Sequence, residues 1–81
     1  MNWTPSTTSS TGFEASAPPW DLEVDESDHH HDSWEWKVLR SGHLIGTNHA
    51  STADLAKASA ERFTKSDADL AWEEIVENLN D

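Results

Sequence analysis

The chain has 81 residues, 16 acidic and 5 basic, for a formal net charge of −11, and it contains no cysteine. That length holds one domain, and the missing cysteines exclude a disulfide, a thiolate metal site and a cysteine nucleophile. The acidity argues against direct binding of DNA, RNA or anionic lipid, because no basic patch is available to neutralise phosphates, and it points instead to a partner protein with a basic surface.

The charge is uneven along the chain. Residues 1–33 carry seven acids (Glu14, Asp21, Glu23, Asp25, Glu26, Asp28 and Asp32) and no Lys or Arg. The first 16 residues are rich in Ser and Thr and offer too little apolar area to offset the entropy of ordering them, so the expectation is a disordered acidic tail over 1–33. With no apolar h-region and no Lys or Arg before Lys37, the N-terminus lacks both parts of a secretory signal. No apolar run approaches the ~20 residues that span a bilayer, and a cytoplasmic location is expected. Within the tail, Trp20, Leu22 and Val24 alternate with Asp21, Glu23 and Asp25 after Pro18-Pro19. This is an extended segment with one apolar edge, suited to docking at 18–26 on a partner or on the protein's own hairpin.

From residue 34 the pattern changes. Trp34, Trp36 and Val38 alternate with Glu35 and Lys37, which predicts a half-buried strand; Ser41-Gly42 is a turn signal, and a second strand follows. A two-residue loop would pair Arg40 with His43, Val38 with Ile45, Trp36 with Thr47 and Trp34 with His49. Trp34, Trp36, Val38, Ile45 and Thr47 would then share one face, with Leu39 and Leu44 on the other. Ser51-Thr52-Ala53-Asp54 resembles an N-terminal cap for a helix over 51–63, and Ser66-Asp67-Ala68-Asp69 repeats the signal for a helix over 66–79. Ala68, Trp72, Ile75, Val76 and Leu79 fall on one face of that helix, while Glu73, Glu74 and Glu77 form an acidic ridge off it. The fold class expected is therefore α+β: a small ββαα domain at 34–81 preceded by the tail.

Chemistry has few footholds. The run Asp25 to Asp32 includes His29, His30 and His31, which offer nitrogen ligands for Zn, Ni or Cu but lie adjacent in a stretch that does not preorganise a geometry. They are weak metal candidates beside a plainer reading as a solvated polar tract, and no cofactor is expected. No nucleophile elbow and no phosphate-cradling glycine loop is present, and a folded part of ~48 residues has little interior in which to shift a carboxylate pKa, so no catalytic residue is assigned. The tryptophans carry more information: Trp34, Trp36 and Trp72 read as core, whereas Trp3 and Trp20 lie in the tail, where Trp20 would serve as an anchor in a partner groove.

The stretch from Trp34 to Phe63, WEWKVLRSGHLIGTNHASTADLAKASAERF, resembles small strand–strand–helix modules of bacterial and phage proteins. The resemblance rests on aromatics, a turn and an Ala-rich helix, and implies no site residues. The functional expectation is a small non-catalytic protein-binding protein, an inhibitor or adaptor that docks on a larger basic protein and in one variant mimics nucleic acid. Its partner-binding residues would be Trp20, Leu22, Val24, Asp21, Glu23, Asp25 and Glu26, with the ridge Glu73, Glu74 and Glu77. The alternatives are an accessory small subunit of a larger enzyme and a metal-binding protein using the histidine tract. The pattern leaves the oligomeric state open.

Overall fold

Alternating apolar and polar residues, short turns and two amphipathic runs assemble into five strands followed by two helices. The computed structural model describes residues 2–7, 11–27 and 33–79. Its elements in chain order are β1 (Thr4–Pro5), β2 (Phe13–Ala17), β3 (Trp20–Glu26), β4 (Trp34–Arg40), β5 (His43–Ala50), α1 (Ala53–Ser66) and α2 (Ala68–Leu79). The strands form one antiparallel sheet in the order β1-β2-β3-β4-β5. Both helices lie on one face of it.

The α+β class holds, but the sheet has five strands where the hairpin alone was expected, and the disorder expected over 1–33 is not what the described residues show. Residues 13–17 and 20–26 are strands, and β3 is central, paired with β2 on one side and β4 on the other. The Pro18–Pro19 peptide is cis and closes the two-residue loop between Ala17 and Trp20. The tail folds because its acids and its apolar residues alternate. Trp20, Leu22 and Val24 turn to the helix-covered face and are 6%, 1% and 1% exposed, while Asp21, Glu23 and Asp25 turn away from it. Composition averaged over the segment hides that separation.

The β4–β5 hairpin has the two-residue loop expected at Ser41-Gly42, with φ of 52° and 82°. Both central residues in the left-handed region define the tight hairpin geometry whose twist suits the flanking strands. Arg40 pairs with His43 and Leu39 with Leu44 as expected, but a bulge then inserts Ile45. Beyond it Val38 faces Gly46, Trp36 faces Asn48 and Trp34 faces Ala50, one residue on from the expected register. Thr47 therefore pairs with Lys37 on the open face instead of joining Trp36. The slip has a packing reason. It brings Gly46 under the Phe63 ring of α1, which packs 5.5 Å from the Trp36 ring between centroids. A Cβ at residue 46 would fall inside the ring's van der Waals envelope. With Thr or Ile at that site α1 could not come so close.

The core consists of Trp20, Leu22 and Val24 from β3, Trp36 and Val38 from β4, and Ala56, Ala60 and Ala68 from the helices. Small alanines on the helical side let α1 approach the large side chains of the sheet. The cap of α1 falls on Thr52, whose hydroxyl accepts from the Leu55 amide at 3.1 Å, one residue later than the serine-led signal suggested. The helix also runs on to Ser66, and Asp67, expected as part of a new cap, closes α1 by donating its amide to the Phe63 carbonyl. In α2, Ala68 is buried and Trp72, Ile75 and Val76 are half-buried, as the periodicity predicted.

Cations tie the periphery to this core. The Arg40 guanidinium lies 5.2 Å from the Trp20 ring centroid and 4.6 Å from that of Trp72, so one side chain joins β3, β4 and α2. On the other flank the Trp3 indole donates to Glu61 Oε1 at 2.9 Å and Lys57 Nζ sits 3.7 Å from the Phe13 ring centroid. These contacts fasten the N-terminal strands to α1. Trp3 and Trp20 thus join the tryptophans that pack internally.

Candidate partner-binding face

The face of the sheet turned away from the helices is built by the alternate residues of β2–β5. Strand alternation places Glu14 and Ser16 on it from β2, Asp21, Glu23 and Asp25 from β3, Glu35, Lys37 and Leu39 from β4, and Thr47 and His49 from β5. Among the described residues no element covers this face. Five carboxylates and one lysine therefore share one sheet surface.

The register adds a specific feature. Glu14 lies directly opposite Glu23, and Asp25 directly opposite Glu35. Like charges at facing positions destabilise a sheet. Lys37 offers partial relief: it is the register partner of Glu23 and its Nζ lies 3.3 Å from Glu35 Oε1. His49 Nε2 lies 3.4 Å from Glu35 Oε2, an ion pair when the imidazole is protonated. Asp25 accepts from the Thr11 hydroxyl at 3.1 Å and from the Glu26 amide at 2.9 Å. Among the described residues no hydroxyl donates to the Glu14 or Glu23 carboxylate. A shallow groove of about 570 Å³ crosses β1–β3 here, bordered by Asn2, Thr4, Glu14, Ser16, Asp21 and Glu23.

The structure divides the residues expected to bind a partner. Asp21, Glu23 and Asp25 come together on the open face, joined by Glu14 and Glu35, which the sequence reading did not select. Trp20, Leu22 and Val24 are core and are not available as a docking edge, because β2 and β4 already occupy both sides of β3. Glu26 is exposed at the end of β3. Glu73, Glu74 and Glu77 are exposed on α2, on a different side of the molecule from the sheet acids. His29, His30 and His31 lie outside the described residues. Among the described residues no cluster of three or more His, Asp or Glu has a metal-binding arrangement. No described helix is long and apolar enough to cross a membrane.

The signal for Glu14 and Glu35 was present in the alternation of Phe13-Glu14-Ala15 and Trp34-Glu35-Trp36. It became interpretable only with the register that sets them opposite Glu23 and Asp25. Comparison with known protein families, with characterised proteins and with solved structures returns no match for this chain.

Proposed function

We propose that the protein is a non-catalytic binding protein, an inhibitor or adaptor, that applies the acidic open face of its sheet to a basic surface of a larger protein. The facing pair Glu14–Glu23, together with the row Asp21, Glu23 and Asp25 on β3, carries this reading. A domain this small has little stability to spare, yet it keeps Glu14 opposite Glu23 where Thr or Lys would pair favourably. Lys or Arg side chains from a partner would neutralise Glu14 and Glu23, so the repulsion expected of facing glutamates would be relieved on binding. Asp21, Glu23 and Asp25 project at every second residue of one strand, about 7 Å apart. A row of that kind fits a linear track of cations, the kind of surface that otherwise takes a phosphate backbone. In this reading the N-terminal strands supply the recognition surface and the helices supply the support.

The test compares wild type with D21N/E23Q/D25N on the sheet and E73Q/E74Q/E77Q on the helix as affinity baits, with captured proteins eluted by rising salt. The expected result is a basic protein held by wild type and by the helix variant, released by salt and lost from the sheet variant. Retention by the sheet variant, or a complex indifferent to salt, would overturn the proposal.

A further inference from the structure

Hydrogen-bond donors gather at the corner where β3, β4 and α2 meet. Arg40 alternates with Trp36 and Val38, so it projects from β4 to the helix-covered side, where it is half-buried. Its Cζ lies over the Trp20 ring at 5.2 Å and over the Trp72 ring at 4.6 Å. His43, the register partner of Arg40, packs on Trp72 with ring centroids 6.2 Å apart. A cation–π contact uses the face of an indole and leaves its N–H to donate elsewhere.

These donors have no acceptor. The guanidinium carries five N–H groups, and among the described residues none accepts a hydrogen bond from it or forms an ion pair with it. Asp69 and Glu73 flank Trp72 on α2, yet neither pairs with Arg40. The Trp20 and Trp72 indoles also lack an acceptor among the described residues, in contrast to Trp3, which donates to Glu61. For Trp20 this is unusual: it is only 6% exposed, and a buried indole N–H ordinarily finds a partner. Among the described residues no fully buried side-chain nitrogen is left without a partner, so the nitrogens of Arg40, Trp20 and Trp72 all reach solvent.

A half-buried cation surrounded by donors calls for a ligand that only accepts and carries negative charge. The guanidinium fork matches two oxygens of a carboxylate or a phosphate, and an indole N–H adds a further bond to the same group. We infer that the corner formed by Arg40, Trp20 and Trp72 is a binding site for an oxyanion, a carboxylate or phosphate group held by the Arg40 fork with an indole donor beside it. The two rings hold the arginine in place before the ligand arrives, which limits the side-chain entropy lost on binding. The net charge of −11 opposes an approaching anion at long range, but physiological salt screens that field beyond about 8 Å. Asp21, Glu23 and Asp25 project from the other face of the sheet. The inference therefore stands apart from the basic-partner reading, and either can fail without the other.

The test is a titration of the isotope-labelled full-length chain with sodium acetate and, separately, with sodium phosphate, followed by nuclear magnetic resonance. Ionic strength and pH are held constant with sodium chloride as the balancing salt. The other arginine, Arg62, is exposed on α1 and serves as an internal control. The expected result is a saturable shift of the Arg40 side-chain N–H and of the Trp20 or Trp72 indole N–H, with one dissociation constant for both and no saturable shift at Arg62. Saturation at lower acetate identifies the ligand group as a carboxylate, and at lower phosphate as a phosphate. Arg40→Lys keeps the charge, loses the fork and is expected to weaken binding about tenfold or more. Far-UV circular dichroism checks that this variant folds, and the wild-type titration needs no variant. No saturable shift with either probe, an equal response at Arg62, an Arg40 shift that leaves both indoles unmoved, or a folded Arg40→Lys that binds like wild type would each overturn the inference.

Discussion

The two faces of the sheet are made from alternate residues of the same strands and follow opposite rules. On the helix-covered face Leu22 and Val24 are 1% exposed, Val38 is 0% exposed, and no polar side chain is buried among the described residues. On the open face Glu14 faces Glu23 and Asp25 faces Glu35. The covered face is arranged for stability, since each buried aliphatic side chain is worth roughly 1.5–3 kcal/mol. The open face sets Glu14 opposite Glu23, an arrangement expected to cost stability. The difference teaches that acids within a strand need not mark a chain that fails to fold. Here they occupy the side that the fold leaves free.

The contrast is broken most severely by removing residues 1–33. That deletion takes away β1–β3 and with them Trp20, Leu22 and Val24, three of the eight buried core residues among those described. Loss of the cooperative thermal transition is the expected outcome; a truncated chain that still melts cooperatively would mean the sheet needs only its hairpin. Leu22→Ala tests the covered face by itself and should cost about 2–5 kcal/mol in urea denaturation, enough to unfold much of so small a domain.

Gly46→Ala tests the close approach of α1 and should cost about 1–3 kcal/mol, because the Phe63 ring must shift against Trp36. Reduced near-ultraviolet tryptophan ellipticity should accompany the loss. Thr52→Ala removes the cap of α1 and is expected to lower stability by about 1 kcal/mol while the folded spectrum stays unchanged.

The smallest effect runs in the opposite direction and sharpens the comparison most. Glu14→Gln relieves the Glu14–Glu23 pair and should raise stability by about 0.2–1 kcal/mol at low ionic strength, the gain shrinking as salt is added. If the proposed function holds, the same change should weaken capture of a basic protein. A variant that loses stability instead would show that the facing glutamates are not in net repulsion.

Much of the fold was legible where pattern and turn chemistry agree. Trp34, Trp36 and Val38 with Ser41-Gly42 marked the hairpin, and the spacing of Ala68, Trp72, Ile75 and Val76 marked α2. The slip after Ile45 was not legible, because it answers to the Phe63 ring, which lies far along the chain and packs on Gly46. The role of Trp20, Leu22 and Val24 was half legible. Their alternation identified an extended segment with an apolar edge, but a strand that docks on a partner and one that docks on its own sheet have the same pattern. For the candidate face, Asp21, Glu23 and Asp25 were visible as a row, whereas Glu14 and Glu35 became part of it only through cross-strand register.

Taken by itself, the sequence determined the local periods, the hairpin turn, the helices and the excess of acid, since these depend on neighbours within a few residues. The tertiary structure decided that β3 lies in the middle of the sheet, that Gly46 rather than Ile45 faces Val38, and that the acids of β2, β3 and β4 share one surface. The physical reason is that each of these depends on contacts between residues distant in sequence. A strand's alternation specifies two faces, but only packing against α1 fixes which one is buried and which stays open.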